Sequence, residues 1–64
     1  MAYVDTRIHF ERFEDEARYL DGSRSYKLYG ETYSPEYCCP FTIQEVRERC
    51  FWMAGWHDTR RYGI

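Results

Sequence analysis

Three cysteines and a histidine in the C-terminal half are the residues whose chemistry must be tested first. Cys38, Cys39, Cys50 and His57 could together bind zinc, or Cys50 and His57 could form a thiol nucleophile and its base. Structural zinc sites use ligand pairs about two to four residues apart, and the spacing C-C-x10-C-x6-H lacks such pairs. A seven-residue helical separation also places Cys50 about 10 Å from His57. The spacing therefore predicts neither a metal site nor a catalytic pair.

Other catalytic patterns are also missing from the sequence. The acidic run Glu14-Asp15-Glu16 is typical of a solvated helix face rather than of a general acid and base, and no glycine-rich phosphate-binding loop occurs. We therefore expect a protein without enzymatic activity, cofactor or small-molecule substrate.

The length of the chain limits the number of domains, and the length of its apolar runs limits membrane insertion. A chain of 64 residues predicts one domain, residues 1–64, and a composition that is 44% hydrophobic favours folding. The apolar runs are far shorter than the roughly 20 residues needed to cross a bilayer, and "MAYVDTRIHF" does not resemble a signal peptide. An odd number of cysteines is typical of reduced thiols. These features predict a cytoplasmic protein with no membrane contact.

The sequence of the N-terminal half is compatible with two structures. Asp5 or Thr6 can cap a helix over residues 6–20, whose apolar positions recur at helical spacing: Phe10, Phe13, Ala17 and Leu20. Against this, "RIHF" alternates, and Asp21-Gly22 stands where a two-residue hairpin turn would lie. The sequence favours a helix and leaves a β-hairpin or meander as the alternative.

The C-terminal half predicts a second helix. Thr42 and Glu45 form a capping-box pattern, and the helix is expected to run from about residue 43 to residue 60. Between the halves, "GETYSPEYCCP" reads as an ordered loop rich in Tyr, Pro and Cys. The predicted fold is therefore mainly α, with two helices joined by this loop, and the alternative is α+β with an N-terminal hairpin packed on the second helix.

This second helix is apolar on two faces. One face is expected to form the core: Ile43, Val46, Cys50, Met53, Ala54 and His57. The other gathers Trp52, Trp56, Arg49 and Arg60, and needs a cover. The candidates are the tyrosines of the loop (Tyr29, Tyr33, Tyr37), a second copy of the chain in a homodimer, or a protein or RNA partner. Gly55 within the helix indicates close approach of another backbone or a ligand.

The charge is unevenly distributed. The net charge is −2, with five basic and nine acidic side chains in residues 1–45, and four basic and two acidic ones in residues 46–64. Phosphate binding depends on Lys and Arg, so only the C-terminal part is suited to nucleic acid.

One pattern resembles a known family. Cys39-Pro40-Phe41, followed by Arg49-x-x-Trp52-x-x-Gly55-Trp56, is similar to the ribosome modulation factor family, and Gly22, Ser25 and Gly30 resemble its run of small residues before the turn. The resemblance covers residues 22–58, and its specific part is residues 39–56. It implies a two-helix fold with an ordered loop, in a protein that associates with the ribosome, contacts ribosomal RNA and favours the inactive, dimerised ribosome.

The chain also departs from that pattern. It is about two residues longer between the Cys-Pro turn and Arg49, about three longer between Gly30 and Cys39, and acidic where the family is basic. Two functions are therefore expected. The first is a ribosome- or RNA-associated modulator whose partner-binding residues are Arg47, Arg49, Trp52, Gly55, Trp56, Arg60 and Arg61, with Cys39, Pro40 and Phe41 as a structural turn. The alternative is an inhibitor or adaptor of the phage type, which reuses the scaffold to bind a host protein through the acidic N-terminal surface.

Overall fold

Three helices make up most of the residues that the structure describes. The computed structural model describes residues 10 and 12–63, with α1 at Phe13–Tyr29, α2 at Pro35–Cys38 and α3 at Val46–Tyr62, and those residues contain no strand. The predicted mainly α fold is confirmed. The hairpin alternative is wrong for residues 13–29, because Asp21 and Gly22 lie inside α1. The predicted cap at Asp5 or Thr6 and the predicted helical residues 6–9 and 11 lie outside the described residues.

Helix α1 is longer at its C-terminal end than predicted. It ends at Tyr29 rather than at residue 20, and the Gly30 N–H donates to the Tyr26 carbonyl oxygen at 2.7 Å. Three carboxylates in its first turn and Lys27 in its last turn complement the helix dipole. The helix thus continues through Gly22, a residue that disfavours isolated helices and is held here by packing against α3.

Helix α3 begins three residues later than predicted. The Glu45 side chain reaches back and accepts hydrogen bonds from the Thr42 backbone N–H at 2.9 Å and from its hydroxyl at 3.2 Å. Because the hydroxyl donates to Glu45 instead of capping the backbone, residues 43–44 form a turn and the helix starts at Val46. At the other end, Gly63 adopts a left-handed φ of 73°, and its N–H donates to the Thr59 carbonyl oxygen.

The core is the contact between α1 and α3. Its buried residues recur at three- and four-residue spacing on each helix: Asp15, Tyr19, Gly22 and Ser23 on α1, and Trp52, Gly55, Trp56 and Thr59 on α3. Apart from Tyr19, the fully buried residues of α1 are small or polar, which leaves room at the contact for two large indoles. Neither α1 nor α3 presents a continuous aliphatic stripe to the other.

The predicted core face of the second helix is therefore wrong. Ile43 and Val46 are 79% and 63% exposed. The other residues of that face are exposed or half-buried: Cys50, Met53, Ala54 and His57. The physical reason is that closely packed helices need small residues at their contact, and the face that supplies them carries few apolar side chains.

No helix in the described part of the chain is both long and apolar enough to cross a membrane.

Candidate functional site

The two tryptophans predicted to bind a partner lie in the core. Trp52 and Trp56 are each 2% exposed, and their rings stack with centroids 5.4 Å apart and an interplanar angle of 25°. Tyr26 of α1 packs its ring edge-on against Trp56, also at 5.4 Å. Helix α1 therefore covers this face of α3, and the two indoles are not on an accessible surface of the chain.

Gly55 serves the same contact. A Cβ atom built on Gly55 would overlap the carbonyl oxygen of Tyr19, and one built on Gly22 would overlap the carbonyl oxygen of Trp52. The prediction that Gly55 marks close approach of another backbone is met within the chain, by α1. Trp52, Gly55 and Trp56 thus form the packing surface of α3.

Arg47 is held by a carboxylate of α1. Its Nε donates to Asp15 Oδ1 at 3.0 Å and its Nη2 donates to Asp15 Oδ2 at 2.6 Å, which is the paired geometry of a strong ion pair. Asp15 is 3% exposed, and the hydrogen bonds from Arg47 hold its pKa below the ordinary value despite this burial. The guanidinium also lies 5.7 Å from the centre of the Phe51 ring. Arg47 therefore joins the two helices rather than standing free for phosphate.

Arg49 is held by the predicted structural turn. Its Nη1 donates to the Phe41 carbonyl oxygen at 3.0 Å, and the Cys39 thiol donates weakly to the same oxygen, with a sulfur–oxygen distance of 3.7 Å. The Arg18 guanidinium lies over the Phe41 ring at 5.3 Å, and its buried Nε has no hydrogen-bond partner in the described part of the chain. Arginines of both helices thus contact the predicted turn at Phe41.

The remaining predicted arginines lie together at the end of α3. Arg60 and Arg61 are exposed and line a shallow cleft of about 240 Å³ with His57, also exposed. Neither arginine forms an ion pair with another described residue, and Arg61 lies 5.9 Å from the ring centre of its neighbour Tyr62. Of the four arginines predicted to contact a partner, these two keep their charged groups available.

A second surface was not predicted as a site. Tyr29, Tyr33 and Tyr37 form a row, with ring centroids 6.2 Å apart for the first pair and 5.0 Å apart for the stacked second pair. Together with Ser25 and Cys38 they line a cleft of about 310 Å³, which we call the tyrosine cleft. The four-residue spacing of the tyrosines was visible in the sequence. The sequence predicts these tyrosines only as one possible cover for the tryptophans, a role that α1 fulfils.

The tyrosine cleft continues into a neighbouring hollow. This hollow, of about 270 Å³, shares Ser25, Tyr29 and Cys38 with the cleft and adds Leu28 and Pro40 among its lining residues. The two hollows together form an elongated groove along the C-terminal half of α1, partly apolar and open to solvent.

The cysteines offer no assembled site. All three thiols are free, and Cys50, expected to be a buried core residue, is exposed. Within residues 10 and 12–63, no three His, Cys, Asp or Glu side chains come close enough to hold a metal ion.

The comparisons with known proteins add no relative. No protein-family model matches this chain, and no curated protein or solved structure matches it either.

Proposed function

We propose that this chain is a small non-enzymatic modulator that associates with the ribosome or its RNA in the cytoplasm. The observation that carries the proposal is the pair Arg60 and Arg61 at the end of α3, exposed beside His57 and without an ion pair among the described residues. Arginine supplies the charge and the planar hydrogen-bond donors that RNA phosphates require. The contact surface is the C-terminal end of α3 rather than its tryptophan face.

The resemblance to the ribosome modulation factor family supports the proposal through the fold. Most of the residues that carry it contact one another or pack against α1: Cys39, Phe41, Arg49, Trp52, Gly55 and Trp56. A pattern of this kind preserves a scaffold, while partner affinity depends on the surface residues around it. We therefore expect the chain to share the two-helix architecture that the resemblance implies, with a smaller basic surface.

The proposed RNA affinity is modest and depends on salt. With about two arginines contacting phosphate, the logarithm of the binding constant should fall by roughly 1.4 per tenfold rise in salt, at about 0.7 per contact for a single strand. Arg47 and Arg49 contribute little, because both are engaged within the fold.

Ribosome co-sedimentation tests this function. The chain should sediment with ribosomes at low salt, and a double variant with Arg60→Gln and Arg61→Gln should remain in the supernatant. Lys27→Gln is the matched control, because Lys27 is an exposed cation on α1. If the arginine variant sediments like the unaltered chain, the α3 end is not the contact surface. If the unaltered chain never sediments with ribosomes, the proposed function is wrong.

Protein binding through the acidic surface is the second candidate. Glu14 and Glu16 are exposed in the first turn of α1, next to the almost fully exposed Phe13, and charge around an exposed aromatic ring is common in protein interfaces. An inhibitor or adaptor would use this surface on a host protein. In a pull-down from nuclease-treated lysate, one protein should be retained in stoichiometric yield, and Phe13→Ala should release it.

A second copy of the chain is not needed to cover the two tryptophans, which was the reason to expect a homodimer. It rested on a second apolar face of α3 in need of a cover, and α1 covers the Trp52 and Trp56 part of that face. Size-exclusion chromatography with light scattering should therefore give the mass of a single chain.

A further inference from the structure

We propose that the tyrosine cleft binds a proline-rich peptide segment that carries basic residues. This surface is separate from the proposed RNA contact, since it lies on α1, α2 and the loop between them rather than at the end of α3. The proposal rests on three properties of the cleft: the spacing of its rings, its unengaged hydroxyl groups and its charge.

The rings match an extended peptide. The ring centroids are 6.2 Å apart from Tyr29 to Tyr33 and 5.0 Å apart from Tyr33 to Tyr37. Together these separations exceed the roughly 9 Å turn of a polyproline II helix, so a row of this length can contact one full turn. The groove continues past Cys38 to Leu28 and Pro40, which gives it room for several residues of extended chain. Aromatic-lined grooves of this kind are the usual receptors for proline-rich segments.

The hydroxyl groups supply the polar contacts. None of the three cleft tyrosines has a hydrogen-bond partner for its hydroxyl among the described residues. A polyproline II segment has no internal hydrogen bonds and presents its carbonyl oxygens to the outside, so tyrosine hydroxyls can donate to them. Ser25, which lines both hollows, is a further donor.

The charge around the cleft selects a basic peptide over RNA. Arg24, which lines the neighbouring hollow, is paired with Asp21 at 3.3 Å. Glu36 lies beside Tyr37 in α2, is exposed and has no ion pair with another described residue. A phosphate chain laid along the groove would pass a carboxylate without gaining a free cation from its lining, whereas a lysine or arginine of a peptide would be attracted.

The cleft is built before any ligand arrives. Helix α2 begins with Pro35 at its first position, and the Ser34 hydroxyl accepts a hydrogen bond from the Tyr37 N–H at 3.2 Å. Stacking of Tyr37 on Tyr33 then fixes both rings. A preformed groove loses little conformational entropy on binding, which favours an extended and similarly preordered ligand.

Fluorescence anisotropy with a labelled synthetic peptide tests the proposal on the full chain. The probe is a short peptide of Pro-Pro-Leu-Pro repeats with an arginine at each end, and its partner probe has alanine in place of every proline. We expect binding of the first probe alone. Tyr37→Ala should weaken it by about tenfold or more, which is the effect of removing an interface hot spot.

Matched variants make the outcomes decisive. Ile43→Ala truncates a similarly exposed apolar side chain away from the cleft and should leave peptide binding unchanged, while Tyr37→Phe tests the hydroxyl at nearly constant shape. Circular dichroism should show that all three variants remain folded. Equal binding of the alanine probe, or no binding of either probe, would overturn the proposal. Binding of single-stranded oligouridine that depends on Tyr37 would also overturn it, in favour of base stacking.

Discussion

Gly22 and Gly55 lie at reciprocal positions of the α1–α3 contact. Gly22 packs on the backbone of the α3 turn that runs from Trp52 to Trp56, and Gly55 packs on the backbone of the α1 turn that runs from Tyr19 to Ser23. Each glycine therefore lies within the turn that the other touches. This arrangement brings the two helices into backbone contact and encloses the indole rings beside it.

Replacement of either glycine by alanine should destabilise the protein. Inside an isolated helix, the change from glycine to alanine is favourable by about 1 kcal/mol. Here the new methyl group would overlap a carbonyl oxygen of the other helix, so the helices must separate, and overpacking of this kind typically costs about 1–3 kcal/mol. Urea unfolding of Gly22→Ala and Gly55→Ala measures the effect.

A control position shows that the loss comes from the contact. Lys27 is an exposed residue of the same helix, and Lys27→Ala should change the unfolding free energy by no more than about 0.5 kcal/mol. If either glycine variant proves more stable than the unaltered chain, the backbone contact does not exist as described.

The type of the fold was predictable, but its core was not. Periodicity at α-helical spacing was strong enough to place a helix in each half, and the Thr42–Glu45 pattern located the start of α3 to within three residues. The core was misplaced because apolar periodicity selects residues such as Ile43 and Val46, whereas the real contact uses Gly22 and Ser23. Small residues at a helix contact carry no hydrophobic signal.

The candidate site was predictable only in part. Arginine and tryptophan are typical interface residues, and their types alone cannot distinguish an exposed side chain from one engaged within the fold. Asp15 lies 32 positions from Arg47, and no local pattern predicts their pairing. The tyrosine cleft depends on a one-turn helix that brings Tyr37 back onto Tyr33, which is a property of the folded loop.

Both indole rings should be shielded from solvent in the free chain. Since Trp52 and Trp56 are each 2% exposed, iodide should quench their fluorescence weakly before unfolding and strongly in urea. Trp56→Ala should cost about 3–5 kcal/mol, which is comparable with the whole stability of a domain of this size. We therefore expect that variant to lose its helical circular dichroism, while Phe13→Ala retains it. Strong quenching in the folded chain would contradict the buried arrangement.

The free energy of unfolding should fall at acidic pH because of Asp15. Hydrogen bonds from Arg47 lower its pKa from the ordinary value of 3.8, so the unfolded chain takes up this proton at a higher pH than the folded chain does. The stabilisation is complete above the ordinary value and is lost as the pH falls through the lower, folded-state pKa. Asp15→Asn should thus be less stable than the unaltered chain at neutral pH, and the difference should shrink below pH 3.8.

The acid effect needs a neighbouring carboxylate as its control. Glu16 is exposed beside Asp15, and Glu16→Gln should stay close to the unaltered chain in stability across the same pH range. Urea unfolding at several pH values gives the comparison. The quantity compared is the difference in unfolding free energy between Asp15→Asn and the unaltered chain. If this difference is as large at about pH 2 as at neutral pH, the ion pair does not cause it.

The buried hydrogen bond between Thr59 and Ser23 should show coupling between α1 and α3. The Thr59 hydroxyl donates to the Ser23 hydroxyl at 2.5 Å, and both residues are buried. Ser23→Ala or Thr59→Val leaves one buried hydroxyl without its partner, and each should lower the unfolding free energy by about 1–3 kcal/mol. The double variant should lose less than the sum of the two single losses. A double-mutant cycle in urea measures this coupling, and additive losses would mean that the two hydroxyl groups do not interact.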